Sequence, residues 1–205
     1  MIFANVFVKK FNNLFIQEVF LFLFRVVFSI FAASNGQNDS KTDETMNALE
    51  RQFAQTVAEH KSTIYTVCYM FSQDADEVND LFQEVLVNLW KGFEGFEHRS
   101  DIKTWIYRVA LNTCISIDRK KKRRSSEVRL TMDINLFKDS DEDTKQVDML
   151  HKRISKLQPF DRAIVLLWLE NLSYEEIGQI VGITTKNVSV RLFRIREQLK
   201  QMSND

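Results

Sequence analysis

The chain has 205 residues, enough for one medium domain or two small ones, and its 44% apolar and 27% charged side chains are those of a folded globular protein. Five Gly and one Pro are too few for a sandwich or barrel with a tight turn about every ten residues, so an all-α fold is expected. The net charge is zero, 28 basic against 28 acidic, but the signs are separated: residues 46–100 hold four basic and nine acidic side chains, residues 101–130 nine basic and three acidic.

Nine of the 17 Phe fall in the first 33 residues, and Phe3, Phe7, Phe11 and Phe15, then Phe20, Phe24 and Phe28, recur at helical spacing. As a membrane span the segment is interrupted by Gln17, Glu18 and Arg25, and a central Arg alone costs about 2.5–3.5 kcal/mol. As a signal peptide, with Lys9 and Lys10 before an apolar stretch, it is broken by the same charges. The remaining readings are a packed helix, or translated upstream sequence with the working protein starting at Met46. Residues 34–45 are polar and read as a linker, so 1–45 is set apart as a leader.

From Met46 the periodicity is helical. Leu49, Phe53, Val57, Ile64, Cys68 and Phe71 form one stripe and predict a first helix over about 47–71. Asp74, with Glu77 three residues on, is a variant capping box, followed by a buried face of Val78, Leu81, Phe82, Val85, Leu86, Leu89 and Phe93. This second helix runs to about Lys91, ahead of Gly92 and Gly95. Ser100 or Asp101 caps a third, whose stripe of Ile102, Ile106, Val109, Thr113 and Ile117 leads into six consecutive cations, Arg119 to Arg124. A second row on that helix, Trp105, Arg108, Asn112, Ser116 and Arg119, reads either as ordinary packing with solvated neighbours or as a stacking platform beside a phosphate track.

Residues 125–146 lack an apolar period, carry Asp139 to Asp143, and read as an acidic flexible linker. Val147, Leu150, Ile154 and Leu157 then make a short helix, Pro159 opens the next, and Ala163–Leu169 is almost continuously apolar. Ser173-Tyr174-Glu175-Glu176 is a capping box, Gly182 permits a sharp turn, and Thr184 caps a helix with the stripe Val188, Leu192, Ile195 and Leu199. That is helix-turn-helix spacing, and the second helix carries Lys186, Asn187, Ser189, Arg191, Arg194, Arg196 and Lys200 against Glu197 alone, a face suited to duplex DNA. Cys68 and Cys114 read as buried thiols, and His60, His98 and His151 share no ligand spacing, so no metal or cofactor is expected.

The run Asp74 to Val85, Leu89-Trp90, Thr104 to Asn112 and the basic stretch resemble the promoter-melting domain of bacterial sigma factors. Leu172 to Gly178 with Val188 to Arg194 resembles their distal-element domain, and the two-domain length is similar to the extracytoplasmic-function group. The resemblance implies two small helical domains joined by a flexible linker: 46–124 for melting and polymerase binding, 125–146 as connector, 147–205 for the distal element. It implies a transcription initiation factor without catalytic activity. Asp80, Leu81, Gln83 and Glu84 would meet core RNA polymerase; Arg99, Lys103, Trp105, Arg108, Asn112, Arg119 and Lys120 the opened minus-ten region; Thr184, Thr185, Lys186, Asn187, Ser189, Arg191 and Arg194 the minus-thirty-five duplex. Lys186-Asn187-Val188 stands where the family often has Gly-Thr-Val. An anti-sigma protein is a further implied partner, the location is cytoplasmic, and no membrane partner is expected. The competing reading is a helix-turn-helix regulator acting without forming holoenzyme, which leaves the acidic second helix unexplained.

Overall fold

The computed structural model describes residues 40–72, 74–97, 99–124 and 142–202, so the expectations for 1–39 and 125–141 lie outside the described residues. Those residues form seven helices and no strand: α1 (Ser40–Phe71), α2 (Ala75–Phe93), α3 (Ile102–Arg124), α4 (Glu142–Ser155), α5 (Pro159–Leu169), α6 (Tyr174–Val181) and α7 (Thr185–Gln201). α1 takes in the last six residues of the polar segment before Met46, and α4 takes in 142–146 of the acidic stretch. Contacts divide the chain into two compact units, one holding α1 up to Ser62 with Trp90–Gly95, the other holding Thr63–Leu89 and the described residues from Phe96 onward.

In the first unit the centre is Phe53, 3% exposed, which meets the Trp90 and Phe93 rings edge-on at centroid distances of 5.0 and 5.2 Å. In the second unit the predicted stripes are buried: Ile64 and Cys68 on α1, Val78, Leu81 and Val85 on α2, Ile106 and Thr113 on α3. α3 also buries Tyr107, Ala110, Leu111 and Cys114, a second stripe that widens its covered face, because α3 packs against both α5 and α6. Cys68 and Cys114 are free and buried, and the contact between their thiols, together with burial, holds Cys68 well above the usual thiol range. His151 is buried with Nε2 2.9 Å from the Tyr69 carbonyl oxygen, a satisfied core histidine.

Short-range polar bonds start the helices where the sequence places them. Asp74 Oδ1 accepts from the Glu77 amide at 2.9 Å, but Glu77 does not close a standard box: its Oε2 accepts from the Ser72 hydroxyl at 2.8 Å, and Ser72 Oγ accepts from the Asp74 amide at 3.1 Å. Burial raises the Glu77 carboxyl, but the bonds from Lys121 on α3 and from Ser72 outweigh it and leave it below the usual carboxylate range. Asp101 caps α3 through the Lys103 amide at 2.8 Å. α5 ends in a reverse turn in which Asn171 adopts φ 61°, with the Leu172 amide donating to the Leu167 carbonyl at 3.2 Å.

A buried cation ties α1, α3 and α5 together. Arg162, 4% exposed, donates through Nε to the Leu157 carbonyl at 3.1 Å and through Nη2 to Asp118 Oδ1 at 3.3 Å, and its guanidinium lies 5.4 Å from the Phe71 ring centre. Lys122 Nζ lies 3.2 Å from Asp118 Oδ2, an ion pair without aligned hydrogen-bond geometry. Removing the guanidinium strands a largely buried carboxylate with only an exposed lysine near it. Arg162→Met is therefore expected to cost about 3 kcal/mol of stability in urea unfolding of the full chain. A loss below about 0.5 kcal/mol would show that the network does not hold these helices.

Candidate nucleic-acid and polymerase interfaces

The helix-turn-helix is built by two caps and one close backbone approach. The Ser173 amide donates to Glu176 Oε2 at 2.8 Å and the Glu176 amide to Ser173 Oγ at 3.2 Å, a complete capping box whose bonds hold the Glu176 carboxyl below its usual range. α6 stops at Gly182, whose φ of 76° is left-handed, and the Ile183 amide reaches back to the Gly178 carbonyl at 3.1 Å. Thr184 Oγ1 then accepts from the Asn187 amide at 3.3 Å and starts α7. A Cβ on Gly178 would stand 2.6 Å from the Ile183 carbonyl oxygen, so the turn folds back over a position that admits no side chain.

α7 buries Val188, Leu192 and Ile195 against the rest of this unit, leaving Thr184, Thr185, Lys186, Asn187, Ser189, Arg191 and Arg194 exposed together along the helix and its cap. Arg191 is also engaged within the chain: Nη1 donates to Asp161 Oδ1 at 2.7 Å, and the guanidinium lies 4.9 Å from the Phe160 ring centre. Asp161 and Phe160, thirty residues earlier, carry no signal for this role in their own sequence context.

On α2 the buried face leaves Asp80, Gln83 and Glu84 exposed side by side. Leu81, expected among the polymerase-contacting residues, is 7% exposed and lies on the buried face with Val78 and Val85, beneath these three side chains.

The residues expected at the opened strand are partly gathered. Arg119 and Lys120 are exposed at the end of α3, and Asn112 is exposed two turns earlier. Lys103 is exposed, with Nζ 5.9 Å from the Tyr107 ring centre, and Arg99, in the loop before α3, pairs with Glu97. Trp105 is half-buried and packs on Phe96, centroids 5.0 Å apart, so part of its ring serves the fold. Arg108 is exposed but spends its guanidinium on the Gln179 carbonyl at 2.7 Å, capping the C-terminal end of α6. Beside it, burial and the Glu170 carboxylate push the Tyr107 hydroxyl up, keeping it a neutral donor 3.5 Å from Glu170 Oε2.

No group of three or more metal-ligating side chains occurs among the described residues, and none of their helices is long and apolar enough to cross a membrane. Gly178→Ala, which brings a methyl against backbone, is expected to cost about 1–3 kcal/mol in urea unfolding of the full chain and to weaken duplex binding with it. Unchanged stability and binding would mean that this close approach does not position α7.

Residues 56–124 match Sigma-70 region 2 and residues 148–199 match Sigma-70, region 4, together more than half of the chain. The chain is 29% identical over 167 residues to the extracytoplasmic-function RNA polymerase sigma factor SigW of Bacillus subtilis, covering 75% of this chain and 89% of that protein. It is 28% identical over 139 residues to the RNA polymerase sigma factor SigV of the same organism, covering 67% and 82%. Among solved structures, the sigma factor RpoE in complex with the anti-sigma factor NepR from Bartonella quintana aligns with a TM-score of 0.62 at 23% identity, over 75% of this chain and 98% of that one. CnrH in complex with the cytosolic domain of CnrY aligns with a TM-score of 0.56 at 19% identity, over 76% and 89%. With two region matches in order, on a cap-turn-cap helix pair and an acidic helix beside a cationic one, the chain belongs to the sigma-70 family, in its extracytoplasmic-function group, and is a promoter-directing transcription initiation factor rather than an enzyme.

Proposed function

We propose that the chain divides its work between one acidic and two cationic surfaces. The exposed face of α2, with Asp80, Gln83 and Glu84, docks on the clamp helices of the polymerase large subunit. α3 and the loop before it, through Arg99, Lys103, Trp105, Arg108, Asn112, Arg119 and Lys120, hold the opened minus-ten strand. α7 and its cap, Thr184 to Arg194, read the minus-thirty-five duplex. Residues 46–124 form the melting and polymerase-binding domain, 125–146 the connector and 147–205 the distal-element domain. The observation that carries this reading is the segregation of exposed charge by helix: the buried face of α2 directs Asp80 and Glu84 outward, while Arg119, Lys120 and the α7 cations are exposed on other helices.

Melting on this scheme requires no catalytic group. Extruding a base costs a few kcal/mol of stacking, and contacts to single-stranded bases and phosphates offset it. The chain acts in the cytoplasm, where bacterial polymerase and chromosome are. An anti-sigma protein is the regulatory partner, a reading supported by the similar structure of RpoE, which is a complex with the anti-sigma factor NepR.

Reversing both docking charges, Asp80→Lys with Glu84→Lys, is expected to weaken core polymerase binding about ten-fold or more with an unchanged circular dichroism spectrum. Undiminished co-purification with core enzyme would contradict the docking assignment. Arg194→Ala is expected to cost about 1–3 kcal/mol on the distal element and clearly less on a scrambled duplex, read by fluorescence anisotropy. Equal losses on both duplexes would make Arg194 a phosphate contact and remove it from base readout.

A further inference from the structure

Two side chains outside the proposed contact sets join the acidic helix to the basic run. Asn88 Nδ2 on α2 donates to Thr113 Oγ1 on α3 at 3.2 Å, and Lys121 Nζ near the end of α3 donates to Glu77 Oε1 in the first turn of α2. The order of these ties reverses between the helices, so α2 and α3 run antiparallel and the start of one lies beside the end of the other. Both Glu77 oxygens are used, Oε2 accepting from the Ser72 hydroxyl at 2.8 Å.

The position of each partner gives the pair its meaning. Glu77 precedes Asp80 by three residues and Glu84 by seven, so the three carboxylates share one face of α2, and the two proposed to meet polymerase continue from the one that holds Lys121. Lys121 is the third of six consecutive cations and adjoins the exposed Arg119 and Lys120. The Lys121 and Glu77 side chains are 63% and 47% exposed, so an outside cation can reach Glu77 and an outside anion can reach Lys121. An ion pair this open to solvent is weak enough to exchange, and its loss changes an equilibrium by no more than about five-fold.

Resting on the reading of α2 as the polymerase-docking helix, we propose that Glu77 and Lys121 form an exchangeable ion pair that couples polymerase docking to strand binding. Cationic side chains of polymerase that meet Asp80 and Glu84 take Glu77 as a third carboxylate, and Lys121 passes to a phosphate of the opened strand beside Arg119 and Lys120. The coupling is reciprocal, because a phosphate that draws Lys121 away leaves Glu77 to polymerase. Alone, the chain keeps Lys121 on Glu77; in holoenzyme both groups face outside partners.

Two readouts distinguish this role from a merely structural ion pair. With the full chain in about 0.15 M salt, Lys121→Ala is expected to tighten core polymerase binding about two- to five-fold, because it leaves Glu77 to the partner. The gain should vanish in the Glu77→Gln background, and Lys121→Arg should bind polymerase as wild type does. In holoenzyme, Lys121→Ala is expected to weaken binding of a single-stranded oligonucleotide carrying the minus-ten sequence that the wild-type holoenzyme selects. The slope of log K against log salt should become shallower by about 0.7, the loss of one phosphate contact, and Lys121→Arg should restore it. Polymerase affinity that is unchanged or reduced in Lys121→Ala, a gain of equal size without Glu77, or an unaltered salt slope would each overturn the proposal while leaving α2 as the docking helix. Undiminished polymerase binding by Asp80→Lys with Glu84→Lys would instead sink the docking reading and this proposal together.

Discussion

Opposite charges attract at close range, so a chain that works as proposed, with an acidic surface for a protein and cationic surfaces for DNA, has to keep them on separate, well-seated helices. The 3.6-residue period does this here. Burying Val78, Leu81, Val85 and Leu89 on α2 turns Asp80 and Glu84 to solvent, and burying Val188, Leu192 and Ile195 on α7 does the same for Lys186 and Arg194. The seating is as important as the period. Arg162, buried between Asp118, the Leu157 carbonyl and the Phe71 ring, joins the helix that ends in the basic run to the helix beneath the helix-turn-helix.

Three of the cations proposed to meet DNA are already engaged within the chain, Arg99 by Glu97 among them. Arg108 caps α6 through the Gln179 carbonyl, and Arg191 is held by Asp161 and Phe160. These exposed contacts are weak: ion pairs open to solvent contribute about 0–1 kcal/mol, which a phosphate or base edge can exceed. They therefore orient the side chains without sequestering them. Arg119 and Lys120, at the far end of α3, have no such contact to exchange among the hydrogen bonds and ion pairs described above.

Much of this organisation was legible in the chain because its causes are local. The caps at Asp74, Asp101, Ser173 and Thr184 each bond an amide two or three residues away, and the apolar stripes repeat within a turn or two. What was not legible depends on distant partners. Nothing local marks Gly178 as the position that Ile183 folds back over, or Arg162 as the partner of Asp118, 44 residues away. The second buried stripe of α3, Tyr107, Ala110, Leu111 and Cys114, has helical spacing in the sequence, but what covers it, α5 and α6, lies far along the chain. Leu81 was legible as part of the apolar stripe of α2, and it is buried there.

The most direct test is run-off transcription from a randomised promoter library with purified core polymerase, with and without the full chain. The account predicts RNA synthesis from a fixed start point only when the chain is present, on templates that share two upstream elements at constant spacing. Duplex binding by the chain with no defined start point on any template would contradict it.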